Sequence, residues 1–491
     1  MTSDSGLVVG IDVGTQGVRV QIADSVGRVV AQVSHSVPSQ LSADGWFEQD
    51  PDHWWRAAAL GLRQATAALG SRSAALAALS ITATSGTICL LDGRGRALRP
   101  AIMYSDRRAT AEAELLNQAG AALASKLGYR FDASFGLPKL LWLQRHEPEA
   151  CAAARYYAHS GDVLVGRLTG EYGTSDWSQA LKSGYDLADL RWPDFIGAEL
   201  GLAVDRLPRV VSPGVVIGRV TPGVAAATGL PAGLPVVAGM TDGCAAQMAG
   251  GASEPGQWLS VLGTTLVIKG VTSTLLRDPA GRFYSHRHPA GMWLPGGASN
   301  TGGEVLARRF AGADLAAMDA KAARLTPSGL ICYPLERVGE RFPFAHPQAR
   351  GFMVGTAETP EREYTACLEG VAYLERLAYE TLEALGAPIL GPVRVAGGGA
   401  RSRVWLQIRA DVFNHPLAVP QQVDAAFGAA VLAASASLYA DLATAARAMV
   451  HVGEVITPRL DAERYAEPYR QFVAACRERG YLVAAPAPSL G

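Results

Sequence analysis

Residues 7–22 read L-V-V-G-I-D-V-G-T-Q-G-V-R-V-Q-I, and residues 258–268 read W-L-S-V-L-G-T-T-L-V-I. Each is an apolar run, a Gly-Thr turn and a second apolar run, the pattern of a strand–turn–strand hairpin. Glycine lets the backbone approach a ligand closely. Successive turn N–H groups form an anion-binding concavity, to which a threonine hydroxyl adds a donor. Two such hairpins far apart in one chain predict two related domains facing a shared phosphate. Two unrelated hairpins are the plainer alternative.

Working outward, the chain has 491 residues, too many for one hydrophobic core, so two domains of roughly 200–250 residues each are expected. It is 49% hydrophobic and 18% charged, a composition that buries a core and excludes disorder. Lys and Arg number 44 against 45 Asp and Glu, a formal net charge of −1. No basic excess points to nucleic acid, and no basic amphipathic segment points to a membrane. The cysteines, Cys89, Cys151, Cys244, Cys332, Cys367 and Cys476, are scattered without a C-x-x-C pair. A disulfide framework or structural zinc site is therefore not expected, and a reducing cytoplasm is. The start, M-T-S-D-S-G, has neither a basic region nor a cleavable apolar segment, and Gly, Pro or Asp interrupts every long apolar stretch.

Residues 7–35 predict three strands, and Trp46–Pro51 a loop. Asp50 is placed to N-cap a helix with Pro51 in its first turn. A further strand is expected over 78–84, ending at Ser85-Gly86-Thr87, and alternating β and α segments follow. The class is α/β. The run M-A-G-G-A-S-E-P-G at 248–256 has the composition of a linker, so domains of 1–247 and 248–491 are expected. A third glycine cluster, V-R-V-A-G-G-G at 393–399, follows a strand and opens a helix, a common nucleotide-binding arrangement. Its spacing is neither G-x-G-x-x-G nor a P-loop, and G-x-x-x-x-G-K-S/T is absent, which excludes a P-loop kinase. The Ala-rich run at 429–437 predicts a tightly packed helix, and the tail at 484–491 is expected to fray.

Asp12 ends the first strand beside Gly14-Thr15. A carboxylate there repels a phosphate unless a cation lies between them, and Mg²⁺, held by one or two carboxylates and several waters, is the usual answer. The alternative is an Asp capping its own turn. Asp242, in G-M-T-D-G-C, follows an apolar strand and would point into a ligand cleft as general base on a hydroxyl, or else N-cap the next helix. Arg19, on the return strand, faces either phosphates or solvent. His286 and His288 form an H-x-H pair without a third metal ligand nearby.

Five segments together resemble the FGGY family of carbohydrate kinases, in the actin, Hsp70 and sugar-kinase superfamily. They are G-I-D-V-G-T-Q-G-V-R, W-F-E-Q-D-P-D-H-W-W, G-M-T-D-G-C-A-A, V-L-G-T-T-L-V-I and V-A-G-G-G-A-R-S-R-V-W-L-Q-I-R-A-D, in this order over about residues 6–440. The resemblance implies two ribonuclease H-like domains closing over a deep cleft, with sugar mainly on the first and ATP-Mg²⁺ mainly on the second. Asp242 then deprotonates a primary sugar hydroxyl, Asp12 holds the metal, and Arg19 neutralises charge. Gly14, Thr15, Gln16, Gly263, Thr264 and Thr265 cradle phosphates, with Gly302 and Gly303 at their border. Gly398, Gly399, Ser402 and Trp405 line the adenosine. The substrate is a small sugar, and the resemblance leaves a homodimer open.

Bacterial xylulokinases carry Gln-Met-His where this chain has A-T-S-G-T, and their W-N-D-x-R appears here as Y-S-D-R-R at Tyr104–Arg108. With L-K-S-G-Y (Leu181–Tyr185) and G-E-R-F-P (Gly339–Pro343), the Thr84–Thr87 variant looks closer to the plant and cyanobacterial D-ribulose kinase branch. The expected substrate is D-ribulose, with D-xylulose as the alternative. Ser85, Gly86, Thr87, Asp106 and Asp242 are the expected sugar contacts, within a sugar-facing set that includes Trp46 and Glu48. A more distant alternative is a nucleotide-switched binding protein of the actin or Hsp70 type.

Overall fold

The computed structural model describes residues 6–482. The tail expected to fray lies outside the described residues. Thirteen strands build two large sheets. In chain order they are β1 (Leu7–Val13), β2 (Gly17–Asp24), β3 (Val29–Ser36), β4 (Leu76–Ala83), β5 (Val216–Arg219) and β6 (Pro235–Val237). There follow β7 (Trp258–Leu262), β8 (Leu266–Gly270), β9 (Phe283–Arg287), β10 (Trp293–Ala298), β11 (Val393–Ala396), β12 (Leu417–Pro420) and β13 (Val452–Ile456).

The first sheet has the order β5-β6-β4-β1-β2-β3 and the second β9-β10-β8-β7-β11-β12-β13. The two share one plan. Each Gly-Thr hairpin, β1–β2 and β7–β8, is antiparallel and is extended by a third antiparallel strand, β3 and β10. On the other side the first hairpin strand pairs in parallel with β4 or β11, which pairs in parallel with β6 or β12. An antiparallel strand finishes each, β5 from before β6 and β13 from after β12. The repeated hairpin thus marks a repeated sheet.

Central strands read as unbroken apolar runs because both faces are covered. All but one residue of β1 are buried, whereas β3 alternates half-buried and exposed residues. The helix Pro51–Leu69 begins as expected, with the Asp50 side chain accepting from the Asp52 N–H and Pro51 in the first turn. It buries Trp54, Ala58, Leu62 and Ala65 in the first core. Within the segment expected to be a loop, Phe47–Gln49 is a short strand, because it finds partners in Gln40–Leu41 and Ala101–Ile102.

The chain divides into two compact units, and the expected division at 247/248 is corrected. The first unit runs to Ser253, inside the Gly-rich run, and also takes in Ser285–Leu294 and Gln422–His451. The reason is the helix Ala425–Ser435. It is apolar on every side and buried over Ala426–Ala434, so it needs cover all round. It packs backbone to backbone on β1, where a Cβ on Gly10 would lie 1.8 Å from the Ala426 carbonyl oxygen. The second unit is Glu254–Tyr284, Pro295–Gln421 and the chain from Val452. Among the described residues no helix is long and apolar enough to cross a membrane.

Candidate active site

In the first unit β1, β4 and β6 run parallel, side by side, so Val13, Ala83 and Val237 end at one edge. A bridge between Ala83 and Thr241 carries the alignment on to Asp242. Ligands of open α/β sheets bind beyond such carboxyl ends. Asp12 and Asp242 are brought together there. Asp12 Oδ1 is buried and has no hydrogen-bond partner among the described residues. Burial raises its carboxyl to about 7; the charges of Asp242 and Asp424 add to the rise, and Arg19 opposes it. A buried, unsatisfied carboxylate beside further carboxylates suits a divalent cation with its waters.

Asp242 is the first residue of the helix Asp242–Ala249, and Thr241 is its N-cap, so the N-cap alternative for Asp242 falls away. Asp242 Oδ1 accepts the Gly243 N–H at 2.6 Å. The backbone before it is held closely. The Met240 carbonyl accepts the Thr82 hydroxyl (2.8 Å), and the Thr241 N–H donates to Ser178 Oγ (2.9 Å). Ser178 Oγ in turn donates to Asp176 Oδ1 at 2.5 Å. Burial lifts the Asp176 carboxyl to about 7. Thr82 and Ser178 escape a reading by sequence because the backbone they hold lies 158 and 63 positions away, and Asp176 enters only through Ser178.

Arg19 Nη1 meets Asp424 Oδ1 at 2.5 Å, and Gln21 Nε2 donates to the other oxygen at 3.3 Å. Reading by sequence misses Asp424 as well. Its signal is an acidic residue directly before an apolar helix, V-D-A-A-F-G-A-A.

After β4 the chain turns through Ser85, Gly86 and Thr87. Thr84 and Thr87 share a hydrogen bond of 3.0 Å between their hydroxyls. Gly86 has φ +91°, and a Cβ there would lie 2.1 Å from the Ser134 carbonyl oxygen, so only glycine fits. Ser85 Oγ is buried without a partner among the described residues, which leaves it free to bond a ligand hydroxyl.

Asp106, expected as a sugar contact, is buried among donors. Its carboxylate accepts the Phe47 N–H (2.6 Å), the Arg108 N–H (2.9 Å), Arg108 Nε (3.0 Å) and Arg108 Nη2 (2.8 Å). Burial alone raises its pKa, but the Arg108 guanidinium and these N–H donors outweigh it and hold the carboxyl below its ordinary value. Arg108 also pairs with Glu48 (2.8 Å) and lies 4.2 Å over the Trp46 ring, while Glu48 meets Arg99 at 2.5 Å. Asp106 and Glu48 thus both pair with arginines and brace the loop.

In the second unit the parallel strands β7 and β11 end at Leu262 and Ala396, and the turns 263–265 and 397–399 lie side by side. Gly397 has φ +85°, and a Cβ there would lie 2.5 Å from the Leu262 carbonyl oxygen. Positions 263 and 398 face open space, where an added Cβ would meet nothing. Gly302 and Gly303 press on the hairpin turn, 2.6 Å from Thr265 Cα and 2.7 Å from the Gly263 carbonyl oxygen by the same measure. Thr264 is exposed and Thr265 half-buried. Of the expected adenosine contacts, Ser402 also has a structural bond, and Trp405 does not reach the surface. Ser402 Oγ caps its own helix by accepting the Trp405 N–H at 3.0 Å. Trp405 is a core residue whose Nε1 donates to the Leu368 carbonyl at 3.0 Å. Among the described residues no three His, Cys, Asp or Glu side chains cluster to hold a metal, so His286 and His288 stay a pair.

The chain matches the N-terminal domain of the FGGY family of carbohydrate kinases over residues 7–249 and the C-terminal domain over 259–437. It is 32% identical to the xylulose kinase of Escherichia coli over 447 residues, covering 87% of this chain and 89% of that one. The crystal structure of xylulose kinase from Rhodospirillum rubrum superposes with a TM-score of 0.86 at 32% identity, over 96% of this chain and 99% of that one. Plasmodium falciparum glycerol kinase with ADP shares the fold, with a TM-score of 0.84 at 19% identity, over 98% and 99% of the two chains. Two matched domains, in order and together spanning most of the chain, lead to one conclusion: the chain belongs to the FGGY family of carbohydrate kinases.

Proposed function

We propose that this carbohydrate kinase transfers the terminal phosphoryl group of ATP to the primary hydroxyl of a pentulose, D-xylulose foremost, forming the 5-phosphate. The observation that carries the reading is the pair Asp12 and Asp242 at one edge of the first sheet, Asp12 on β1 and Asp242 beyond β6, the two strands that flank β4, with Asp12 Oδ1 buried and unsatisfied. Relatives named xylulose kinase at 32% identity support D-xylulose over the D-ribulose expected from the motifs. D-ribulose is kept as a second reading on one observation, the small turn Thr84–Thr87 with its unsatisfied Ser85 hydroxyl.

Asp242 accepts the proton of the attacking hydroxyl, a contribution of about 10²–10⁴-fold. Asp12 would hold Mg²⁺, which neutralises phosphate charge during transfer. Gly14 and Gly263 close their turns with their own N–H groups, donated to the Gly17 and Thr265 carbonyls, and leave the N–H groups of Thr15 and Gln16 in one unit, and of Thr264 and Thr265 in the other, to meet phosphate oxygens, with Gly302 and Gly303 bordering the second turn. Gly398 faces open space and leaves room for the nucleoside, while the buried Gly399 packs on Leu262 and holds the turn to β7. Ser85, Gly86 and Thr87 meet the sugar hydroxyls. Arg19, held by Asp424, offsets the charge of Asp12.

A coupled ADP-release assay with Mg-ATP against D-xylulose, D-ribulose, L-ribulose, ribitol and glycerol, run beside Asp242→Ala, tests this. Highest turnover on D-xylulose, lost in the variant, supports the whole reading. Highest turnover on D-ribulose keeps the mechanism and restores the second substrate. Sugar-independent ATP hydrolysis that survives Asp242→Ala refutes both.

A further inference from the structure

Glu340 belongs to the Gly339–Pro343 segment, outside all three glycine turns, and it is 4% exposed. Its Oε1 accepts the N–H groups of Asn300 (2.6 Å) and Arg341 (2.8 Å). Its Oε2 accepts the hydroxyls of Ser299 (2.8 Å), Thr301 (2.9 Å) and Tyr333 (2.9 Å). Three consecutive residues, 299–301, therefore hang on one carboxylate. Asn300 Nδ2 donates back to the Gly339 carbonyl (2.9 Å), and the Thr301 N–H donates to Ser299 Oγ (2.8 Å).

The loop so held in turn grips the second hairpin. The Ser299 N–H donates to the Leu266 carbonyl and the Leu266 N–H to the Thr301 carbonyl, both at 2.9 Å. The N–H groups of Gly303 and Glu304 donate to the carbonyls of Gly263 (2.8 Å) and Thr264 (3.1 Å). The Gly263 N–H closes the turn by donating to the Thr265 carbonyl (3.1 Å), and with the Gly263 and Thr264 carbonyls engaged from behind, the turn that carries the Thr264 and Thr265 N–H groups is set in one orientation. Gly302 makes the contact too close for any side chain.

We infer that Glu340 is a positioning residue for nucleotide binding: through the loop 299–304 it presets the turn Gly263–Thr265 to receive phosphate. The inference rests on the reading of that turn as a phosphate site. The charge matters as well as the shape. Five donors converge on two oxygens, and an amide in place of the carboxylate turns one acceptor into a donor that faces other donors. Preorganised donors bind developing or resident charge without reorganising at the moment of need, and loosening them weakens that binding.

The test measures Mg-ATP binding to the full chain by calorimetry, and steady-state kinetics with Mg-ATP and pentulose each varied, for wild type, Glu340→Gln, Tyr333→Phe and Gly263→Val. The expected result is a tenfold or greater rise in the Kd and KM for Mg-ATP in Glu340→Gln, with the pentulose KM within twofold of wild type. Tyr333→Phe, which removes one donor of five, gives a smaller shift in the same direction. It also keeps the test alive if Glu340→Gln fails to fold. Unchanged Mg-ATP affinity in Glu340→Gln, or in Tyr333→Phe when only that variant folds, overturns the inference while Gly263→Val still weakens binding. Equal loss for pentulose and nucleotide also overturns it, as a general structural role. If Gly263→Val binds Mg-ATP as wild type does, the phosphate reading of the turn fails, and the inference fails with it.

Discussion

Gly428 lies within the helix Ala425–Ser435, where a Cβ would sit 1.8 Å from the carbonyl oxygen of Ala245 and 2.5 Å from its carbonyl carbon. Ala245 belongs to the helix that starts at Asp242. On its other side the same helix rests on Gly10 of β1, the strand that carries Asp12. Gly428→Ala must therefore push apart a pair of helices whose positions bear on both carboxylates. Real Cβ atoms essentially never come nearer than 3.0 Å to such an atom, so the gap must open by about 1.2 Å. A displacement of about 1 Å at a reacting group costs on the order of 10²-fold in rate. The stability change is expected to be modest, because overpacking costs about 1–3 kcal/mol and alanine recovers about 1 kcal/mol of helix propensity over glycine. The assay is kcat with Mg-ATP and pentulose beside a thermal melt. Gly161→Ala serves as control, since its Cβ would meet only Ala83 Cβ, at an ordinary 3.6 Å. The expected outcome is a kcat about two orders lower for Gly428→Ala and no loss of melting temperature for Gly161→Ala. A well-folded Gly428→Ala with kcat within threefold of wild type would refute the reasoning.

Asp242→Asn should lower kcat by about 10²–10⁴-fold and leave the KM for Mg-ATP nearly unchanged; a loss under tenfold would remove it as the base. Asp12 titrates near 7, and a proton competes with a metal for the carboxylate. The Mg²⁺ concentration for half-maximal activity should therefore rise as pH falls below 7, a dependence that Asp12→Asn abolishes. Arg409 and Glu375 form a pair at 2.6 and 2.8 Å that Ser260 joins, with side chains 0% and 3% exposed. Glu375→Ala strands a buried cation and should cost about 3–5 kcal/mol in denaturant unfolding, and the double variant Glu375→Leu, Arg409→Met should recover most of it. Burial depresses His288 from 6.5 to about 4, so its contribution to stability is complete above 6.5 and is lost as pH falls through 4. Unfolding free energy should drop by up to about 3 kcal/mol over that window, and the slope should flatten in His288→Asn.

What the sequence determined by itself is local. The Gly-Thr hairpins, the Asp50-Pro51 helix start and the strand-to-turn glycines each follow from backbone sterics and patterning within a dozen residues. All three stand in the structure near where the motifs put them. Asp12 and Asp242 could be singled out for the same reason, since one lies at the end and the other just beyond the end of a plain apolar run. Pairings at long range were not legible. Arg19 finds Asp424 across 405 positions, and Glu340 gathers residues 299–301 from 39–41 positions away. A carboxylate reads the same in sequence whatever donors surround it, so the pairing of Asp106 with Arg108 was not legible. Trp405 likewise looked like a nucleoside wall and is core. The return of Gln422–His451 to the first unit was hidden most deeply. An amphipathic helix shows which face it buries, but a helix apolar on all sides shows none, and only the packing of Gly10 and Gly428 against its neighbours decided where Ala425–Ser435 belongs.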